Sequence, residues 1–449
     1  MQDSQLLFRF CPKALRPLLR QLTGSSLGIR FAHGAFWTIC ANIISRGAGL
    51  LVSIPIARIL GKEGYGEYGI IYSTLVMFSL IVGSGLGLTA TKYVAEYRLN
   101  NPNRAGRIIA LSNLFSFIIS LIMALILLLM APWLATYAIA APHLSKLLSL
   151  SSIGVFLNTL NQVQNGTLVG LEAFKSIANR NLWAGGARFI LLLLGTCFWG
   201  LPGTVVGFII AEGFMLVLNQ LAIEQHCKHL TISVSYHDCL KEAPILWKFS
   251  GPAALTGALG GPVIWICNSI LVNGPNGYGE MGLYNMALQW KTLIIFIPLA
   301  LNNVVLPVLS DLYGKGDHEK HNKLLQANII LYTVSTGIIA LIIAFLSPFI
   351  TMLYGKEFIA GANVLSIVAL SSVFFALHEL MLRTLASMEM MWYGFTAMTL
   401  SGLIQIILTI IFTGWGMGAF GLGSATVIGY VSTFIIQLYF IKRIYCELN

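Results

Sequence analysis

Gly61-Lys62-Glu63-Gly64-Tyr65-Gly66-Glu67-Tyr68-Gly69 returns 213 residues later as Gly274-Pro275-Asn276-Gly277-Tyr278-Gly279-Glu280-Met281-Gly282. Six of the nine positions are identical, and each copy stands between two long apolar segments. A motif that recurs in one setting halfway along a chain marks a duplicated unit. Two related membrane halves with a site between them are a common plan for transporters. Taken alone, the copies also read as good turns, because glycine suits tight reversals.

The chain has 449 residues, 57% of them hydrophobic and 10% charged, with a mean hydropathy of +0.79. Soluble domains carry about 25% charged residues. So few charges, with apolar runs near the roughly 20 residues that cross a bilayer, predict an all-α polytopic membrane protein. No window alternates as a barrel strand does. The net charge of +10 is spread over short loops and termini and calls for no nucleic acid. Residues 1–33 hold Arg9, Lys13, Arg16, Arg20 and Arg30 but no apolar run long enough for a secretory leader. They read as a basic cytoplasmic arm on the membrane surface. The seven cysteines are scattered without a CxxC, so no disulfide framework is expected.

Apolar segments bounded by charge, Pro or Gly predict twelve crossing helices, at about 34–58, 68–90, 108–131, 146–168, 184–200, 203–223, 249–272, 283–306, 325–348, 363–386, 394–414 and 420–441. They divide into an N-lobe over 34–223, a linker over 224–248, a C-lobe over 249–441 and a tail over 442–449. Lys92, Arg98, Arg104, Arg107, Lys175, Arg180, Lys228, Lys241, Lys248, Lys315, Lys320 and Lys323 fall on one side. Lys62, Lys146 and Lys356 fall on the other. This asymmetry predicts that both termini are cytoplasmic and that both glycine-tyrosine copies lie outside. Six spans per half also give the halves one orientation, a parallel repeat. The linker carries His226, Cys227, His229, His237 and Cys239, whose spacing fits no zinc pattern. It reads as a solvated connection, and no metal or cofactor is expected.

Ionisable residues inside spans are costly and point to function. Arg46, Arg188, Glu212, Lys291, Glu379 and Arg383 are such residues, and they lean positive. Glu379 and Arg383 are one turn apart in the favourable order for a helical ion pair. Arg188 and Glu212 stand 13 and 11 residues from Leu201 on consecutive spans. They therefore lie within about 3 Å of the same depth, and an interhelical pair is expected. Protonation of Glu212 would then release Arg188. Arg46 and Lys291 have no acid one turn away and have small or polar neighbours. Both are expected to face a wet cavity and attract an anion, for which phosphate suits Arg and Lys alike. Pro55, Pro252, Pro262 and Pro298 are expected hinges in spans one, seven and eight. Gly83-Ser84-Gly85-Leu86-Gly87 is expected to serve close helix packing.

The run Ala57-Arg58-Ile59-Leu60-Gly61-Lys62-Glu63-Gly64-Tyr65-Gly66-Glu67-Tyr68 resembles the signature of polysaccharide-repeat-unit flippases. So do Thr91-Lys92-Tyr93-Val94-Ala95-Glu96-Tyr97, Leu306-Pro307-Val308-Leu309-Ser310-Asp311-Leu312-Tyr313 with Gly316-Asp317, and Leu353-Tyr354-Gly355-Lys356-Glu357-Phe358. From about Gly28 to Lys442 the chain is similar to the polysaccharide transport branch of the multidrug and oligosaccharidyl-lipid exporter superfamily. The resemblance implies a MATE-like transporter of two six-helix lobes in the inner (plasma) membrane. It implies movement of undecaprenyl-diphosphate-linked oligosaccharide from the cytoplasmic to the outer leaflet by alternating access. It further implies a cationic cavity, with glycan polymerases and glycosyltransferases as partners. Coupling to H+ or Na+ is common in the superfamily, and no residue here identifies the ion.

Other classes fit less well. An exporter of organic cations would line its site with carboxylates or aromatic cages. A peptidoglycan-precursor flippase has two further spans. A glycan polymerase or ligase needs a large outer loop with acid–base groups, whereas the predicted outer loops are all under about 20 residues. A non-transporting assembly scaffold has no need of buried, unpaired cations.

Overall fold

The structure is a computed structural model that describes residues 26–244, 259–388 and 390–448. Eleven α-helices run through these residues: α1 (Ser26–Tyr97), α2 (Pro102–Trp133), α3 (Ser145–Gly170), α4 (Phe174–His229), α5 (Gly260–Val272), α6 (Gly277–Ile294), α7 (Phe296–Gly314), α8 (His318–Tyr354), α9 (Ala362–Ser387), α10 (Met391–Gly414) and α11 (Gly418–Leu448). Two of them are hairpins of two legs. The break in α1 is Gly61, at φ 70°, and that in α4 is Gly200, at φ 58°. Both φ values lie where a side chain is disfavoured and glycine is not. Beyond Gly200 the two legs of α4 touch backbone to backbone, since a Cβ on Gly195 would stand 2.2 Å from the Gly203 carbonyl oxygen. The α6–α7 pair is one leg broken at Ile295, because Pro298 has no N–H to give the Ile294 carbonyl.

Counted as legs, the described helices number twelve, and each predicted span falls on one, the seventh over its described residues 259–272. Six described helices are long and apolar enough to cross a membrane, or seven if a bent pair is one span. The protein is therefore an all-α, multi-pass membrane protein. Its exposed surface is rich in large apolar side chains such as Leu129, Leu341, Phe345 and Phe349, as expected where lipid replaces water.

Several local expectations are corrected. The glycine-tyrosine copies are helix starts rather than turns. After Gly61 the chain is helical at once, and α6 begins at Gly277 behind left-handed Asn276. Arg180 and Lys175 lie inside α4 instead of in a loop. The chain stays helical through Pro55, and Pro262 opens α5 in its first turn, where its missing N–H is harmless. Pro298 breaks its span as expected; Pro252 lies outside the described residues. The linker is helical as far as His229 and then lies along the start of α2. A Cβ on Gly106 would stand 2.0 Å from the Ser233 carbonyl oxygen, and Arg104 and Arg107 both hold Glu242 at 3.1 Å.

What joins the lobes is the repeated motif itself. A Cβ on Gly66 would stand 1.8 Å from the Tyr278 carbonyl oxygen, and one on Gly282 would stand 2.1 Å from that of Lys62. Around this contact Arg58 Nε donates to the Leu353 carbonyl at 2.7 Å, and Lys62 N–H donates to Glu357 at 2.9 Å. Tyr278 Oη, Trp265 Nε1 and Asn273 Nδ2 donate to Ile139, Thr74 and Ala138 respectively. The bonds of Arg58, Lys62, Tyr278 and Asn273 lie toward the motif-bearing end of the helices, and that of Trp265 to Thr74 lies farther along them. Gly282→Ala should force the lobes apart there at a cost of about 1–3 kcal/mol. Spin labels at Glu63 and Ala360 should report a longer distance in that variant. Gly337→Ala, whose added methyl meets nothing within 4 Å, should leave it unchanged.

Candidate functional site

Below the motif contact the two lobes enclose a chamber of about 410 Å³. Its walls come from both legs of α1, from α4 and from α6, through Ser45, Arg46, Ser53, Tyr65, Tyr68, Tyr72, Arg188, Gln289 and Thr292. Its closed end is capped by the hydrogen bond between Ser53 and Tyr354 at 2.9 Å. Tyr65, Tyr68 and Tyr72 recur at helical spacing, so their rings form one row, with Tyr68 stacked on Tyr72 at 6.1 Å.

Arg46 is half-buried in the chamber wall. Its Nη1 donates to the Thr292 carbonyl at 2.6 Å. Thr292 stands in the last turn of α6, where carbonyls have no partner within the helix and the helix dipole favours a cation. The break ahead of Pro298 thus creates the acceptor that Arg46 uses. Among the described residues no carboxylate pairs with it.

Lys291 takes a different place from the one expected. At about 100° per residue it faces away from Gln289 and sits to the side of Thr292, so it points into the C-lobe. There it is buried, with Nζ donating to Tyr430 Oη at 3.1 Å and lying over the rings of Tyr430 and Phe375 at 4.4 and 4.8 Å. It is a cation held by aromatic faces. Glu379 and Arg383 also belong to the C-lobe, where they form the expected pair at 3.6 Å. Glu379 borders a cavity of about 200 Å³ lined in part by Phe375, His378, Gln405 and Tyr430.

Arg188 and Glu212 meet across the α4 hairpin at 3.8 Å. The guanidinium lies over the Phe208 ring at 4.8 Å, with the Tyr68 and Tyr72 hydroxyls against it. Glu212 accepts from Asn161 Nδ2 at 2.9 Å and from Asn158 Nδ2 at 3.4 Å. Asn219 Nδ2 donates to Asn161 Oδ1 at 3.0 Å, and Arg180 donates to Asn219 and, at 2.8 Å, to Asn165. One polar network therefore joins the chamber to Arg180, a buried cation whose side-chain partners are carboxamides.

Sequence reading missed this amide row and the tyrosine row. Both were legible as helical spacing: Asn158, Asn161, Gln162 and Asn165 stand at intervals of three and four. A search confined to charges inside spans passes over neutral polar residues.

Lobes of six legs around a central polar chamber define a transporter fold of the MATE type. Residues 31–313 match the family described as polysaccharide biosynthesis protein, and residues 282–449 match that of the lipid II flippase MurJ. The first match covers more than half of the chain, which belongs to the polysaccharide biosynthesis protein family. The EPS I polysaccharide export inner membrane protein EpsE of Ralstonia nicotianae (strain ATCC BAA-1114 / GMI1000) is 22% identical over 92% of this chain and 94% of its own length. A lipid III flippase of Escherichia coli (strain K12) is 25% identical over 64% of this chain and 68% of its own. A multidrug resistance MATE family transporter, solved in an inward-facing conformation, superimposes with a TM-score of 0.78 at 17% identity, over 92% of this chain and 98% of that one.

Asn161→Leu removes two donor bonds to Glu212 and an acceptor for Asn219 at a buried position. It should lower stability by about 1–3 kcal/mol, read as a lower thermal unfolding midpoint in detergent. An unchanged midpoint would mean that the network adds nothing to the fold.

Proposed function

We propose that the protein is a flippase that carries polyprenyl-diphosphate-linked oligosaccharide across the inner membrane for cell-surface polysaccharide synthesis. The observation that carries this reading is Arg46, a cation without a carboxylate partner among the described residues, facing a chamber between two lobes. Arg188 adds a second guanidinium to the same wall, half satisfied by Glu212. Guanidinium groups bind diphosphate oxygens in pairs and stay charged. A site for organic cations would carry the opposite sign. The relatives over most of the chain are named as a polysaccharide exporter and a lipid III flippase, which agrees in chemical class.

With both termini in the cytoplasm, as the Lys and Arg asymmetry predicts, the motif contact closes the outer end and the chamber belongs to an inward-facing state. A glycan made on the cytoplasmic leaflet would load there. The MurJ match over the second half supports a neighbouring reading, in which the cargo is a peptidoglycan precursor. Glu212 is the proposed coupling group: its protonation would free Arg188.

Deletion separates the cargo readings. Cells lacking the protein should accumulate a lipid-linked oligosaccharide on the cytoplasmic leaflet, identified by mass spectrometry of extracted lipids. Accumulation of a peptidoglycan precursor would select the neighbouring reading, and accumulation of neither would refute both. Arg46→Gln and Arg188→Gln each remove a charge-assisted contact and should cut delivery about ten- to hundredfold. Full delivery by both variants would remove the diphosphate from this wall. Glu212→Gln should abolish any pH dependence of transport.

A further inference from the structure

Helix α3 carries Asn158, Asn161, Gln162 and Asn165 on one face, and with Asn181 of α4 they line an N-lobe cavity of about 250 Å³. Ser45 and Arg188 line both this cavity and the chamber, so the two adjoin. The carboxamides are not equivalent. Asn161 is fully engaged with Glu212 and Asn219. Gln162 Nε2 donates to Asn158 Oδ1 at 3.0 Å, while its own carbonyl oxygen accepts nothing among the described residues. Asn165 Oδ1 accepts from Arg180 at 2.8 Å, while its Nδ2 donates to nothing among them. Neither Gln162 nor Asn165 is buried. Gly83 makes room for the Gln162 carboxamide, since a Cβ there would stand 2.5 Å from Oε1.

The pocket thus presents an open acceptor and an open donor one helical turn apart. Its two formal charges, Arg188 and Glu212, face each other. Lipid tails cannot satisfy such groups, and leaving carboxamides without partners in hydrocarbon is costly. A charged ligand has no excess charge to meet. Sugar hydroxyls fit, because each can donate and accept at once, as carboxamides do through separate atoms.

Resting on the flippase reading, we propose that this pocket is the sugar subsite of the transporter. It takes the neutral, hydroxyl-bearing sugar joined directly to the diphosphate. The placement follows from connectivity: that sugar is bonded to the group that Arg188 holds, and Arg188 is the wall shared by both cavities. Recognition of the glycan is then set at the sugar nearest the lipid, and units farther along extend into the wider chamber.

The test compares two probes on the full-length protein in nanodiscs. One is bare undecaprenyl diphosphate, and the other is the lipid-linked oligosaccharide extracted from cells deleted for this protein. Wild type should bind the glycolipid about tenfold more tightly. The double variant Gln162→Leu/Asn165→Leu should bind both alike, at the wild-type affinity for bare diphosphate, which also certifies its fold. If that variant does not fold, Asn165→Ala alone, at an exposed position, should lose part of the preference. A variant that keeps the full preference overturns the proposal, as does a wild type that binds both probes equally. In the second case the diphosphate site stands. Should the deleted cells yield no lipid-linked glycan, or the wild type bind neither probe, the flippase reading itself fails.

Discussion

The structure depends on the lobes meeting backbone to backbone at the repeated motif. Gly66 and Gly282 leave no side chain between α1 and α6, so carbonyl oxygens occupy the space where Cβ atoms would stand. Small residues drive such contacts in membranes, where lipid tails are as apolar as leucine and burial alone gives helices no reason to associate. The closest approach is at the motif, and away from it both legs of α1, α4 and α6 line the chamber. The polar bonds around it, from Arg58 to Leu353 and from Lys62 to Glu357, are few and lie toward its rim. A contact built on shape with a thin polar border is suited to separating as a unit.

Besides Arg383, which Glu379 pairs, four cations within the helices are satisfied in four ways. Arg188 has a carboxylate, Lys291 has aromatic faces, Arg180 has carboxamides, and Arg46 has a carbonyl at a helix end. A charge at the bilayer centre costs at least about 2.5–3.5 kcal/mol, so each solution must offset that much. The first three lie within a single lobe and stay intact when the lobes separate. Arg46 alone of these four is held across the lobe boundary, one of its five N–H donors meeting the Thr292 carbonyl oxygen.

Much of the fold was legible in the sequence because lipid imposes a simple rule. Each span had to be a helix, and hydropathy with Pro, Gly and charge located the legs seen among the described residues. The Arg188–Glu212 and Glu379–Arg383 pairs followed from depth and from helical spacing. What could not be read was direction around a helix. Lys291 and Thr292 are adjacent in sequence, yet one enters the C-lobe and the other faces the chamber. Nothing local to residue 291 announces Phe375 or Tyr430, which arrive from helices far along the chain. Arg180 misled in the same way: near a predicted span end it looked solvated, whereas α4 continues past it and buries it against Asn219. The motif glycines misled through their chemistry, since an intolerance of side chains serves a turn and a helix contact equally.

The position of Arg46 bears on how cargo and conformation are linked. A ligand shifts a conformational equilibrium only through contacts that differ between the states. In this state Arg46 on α1 is tied to α6 through Thr292, an acceptor that exists because the leg breaks at Ile295. An anion in the chamber competes for that guanidinium, and so weakens a bond that spans the lobes while leaving each lobe's own pairs untouched. Arg188, held within the N-lobe by Glu212, can bind the same anion without altering the boundary. On the proposed reading the two arginines divide the work: Arg188 fixes the headgroup to the N-lobe, and Arg46 converts its presence into a looser hold on the C-lobe.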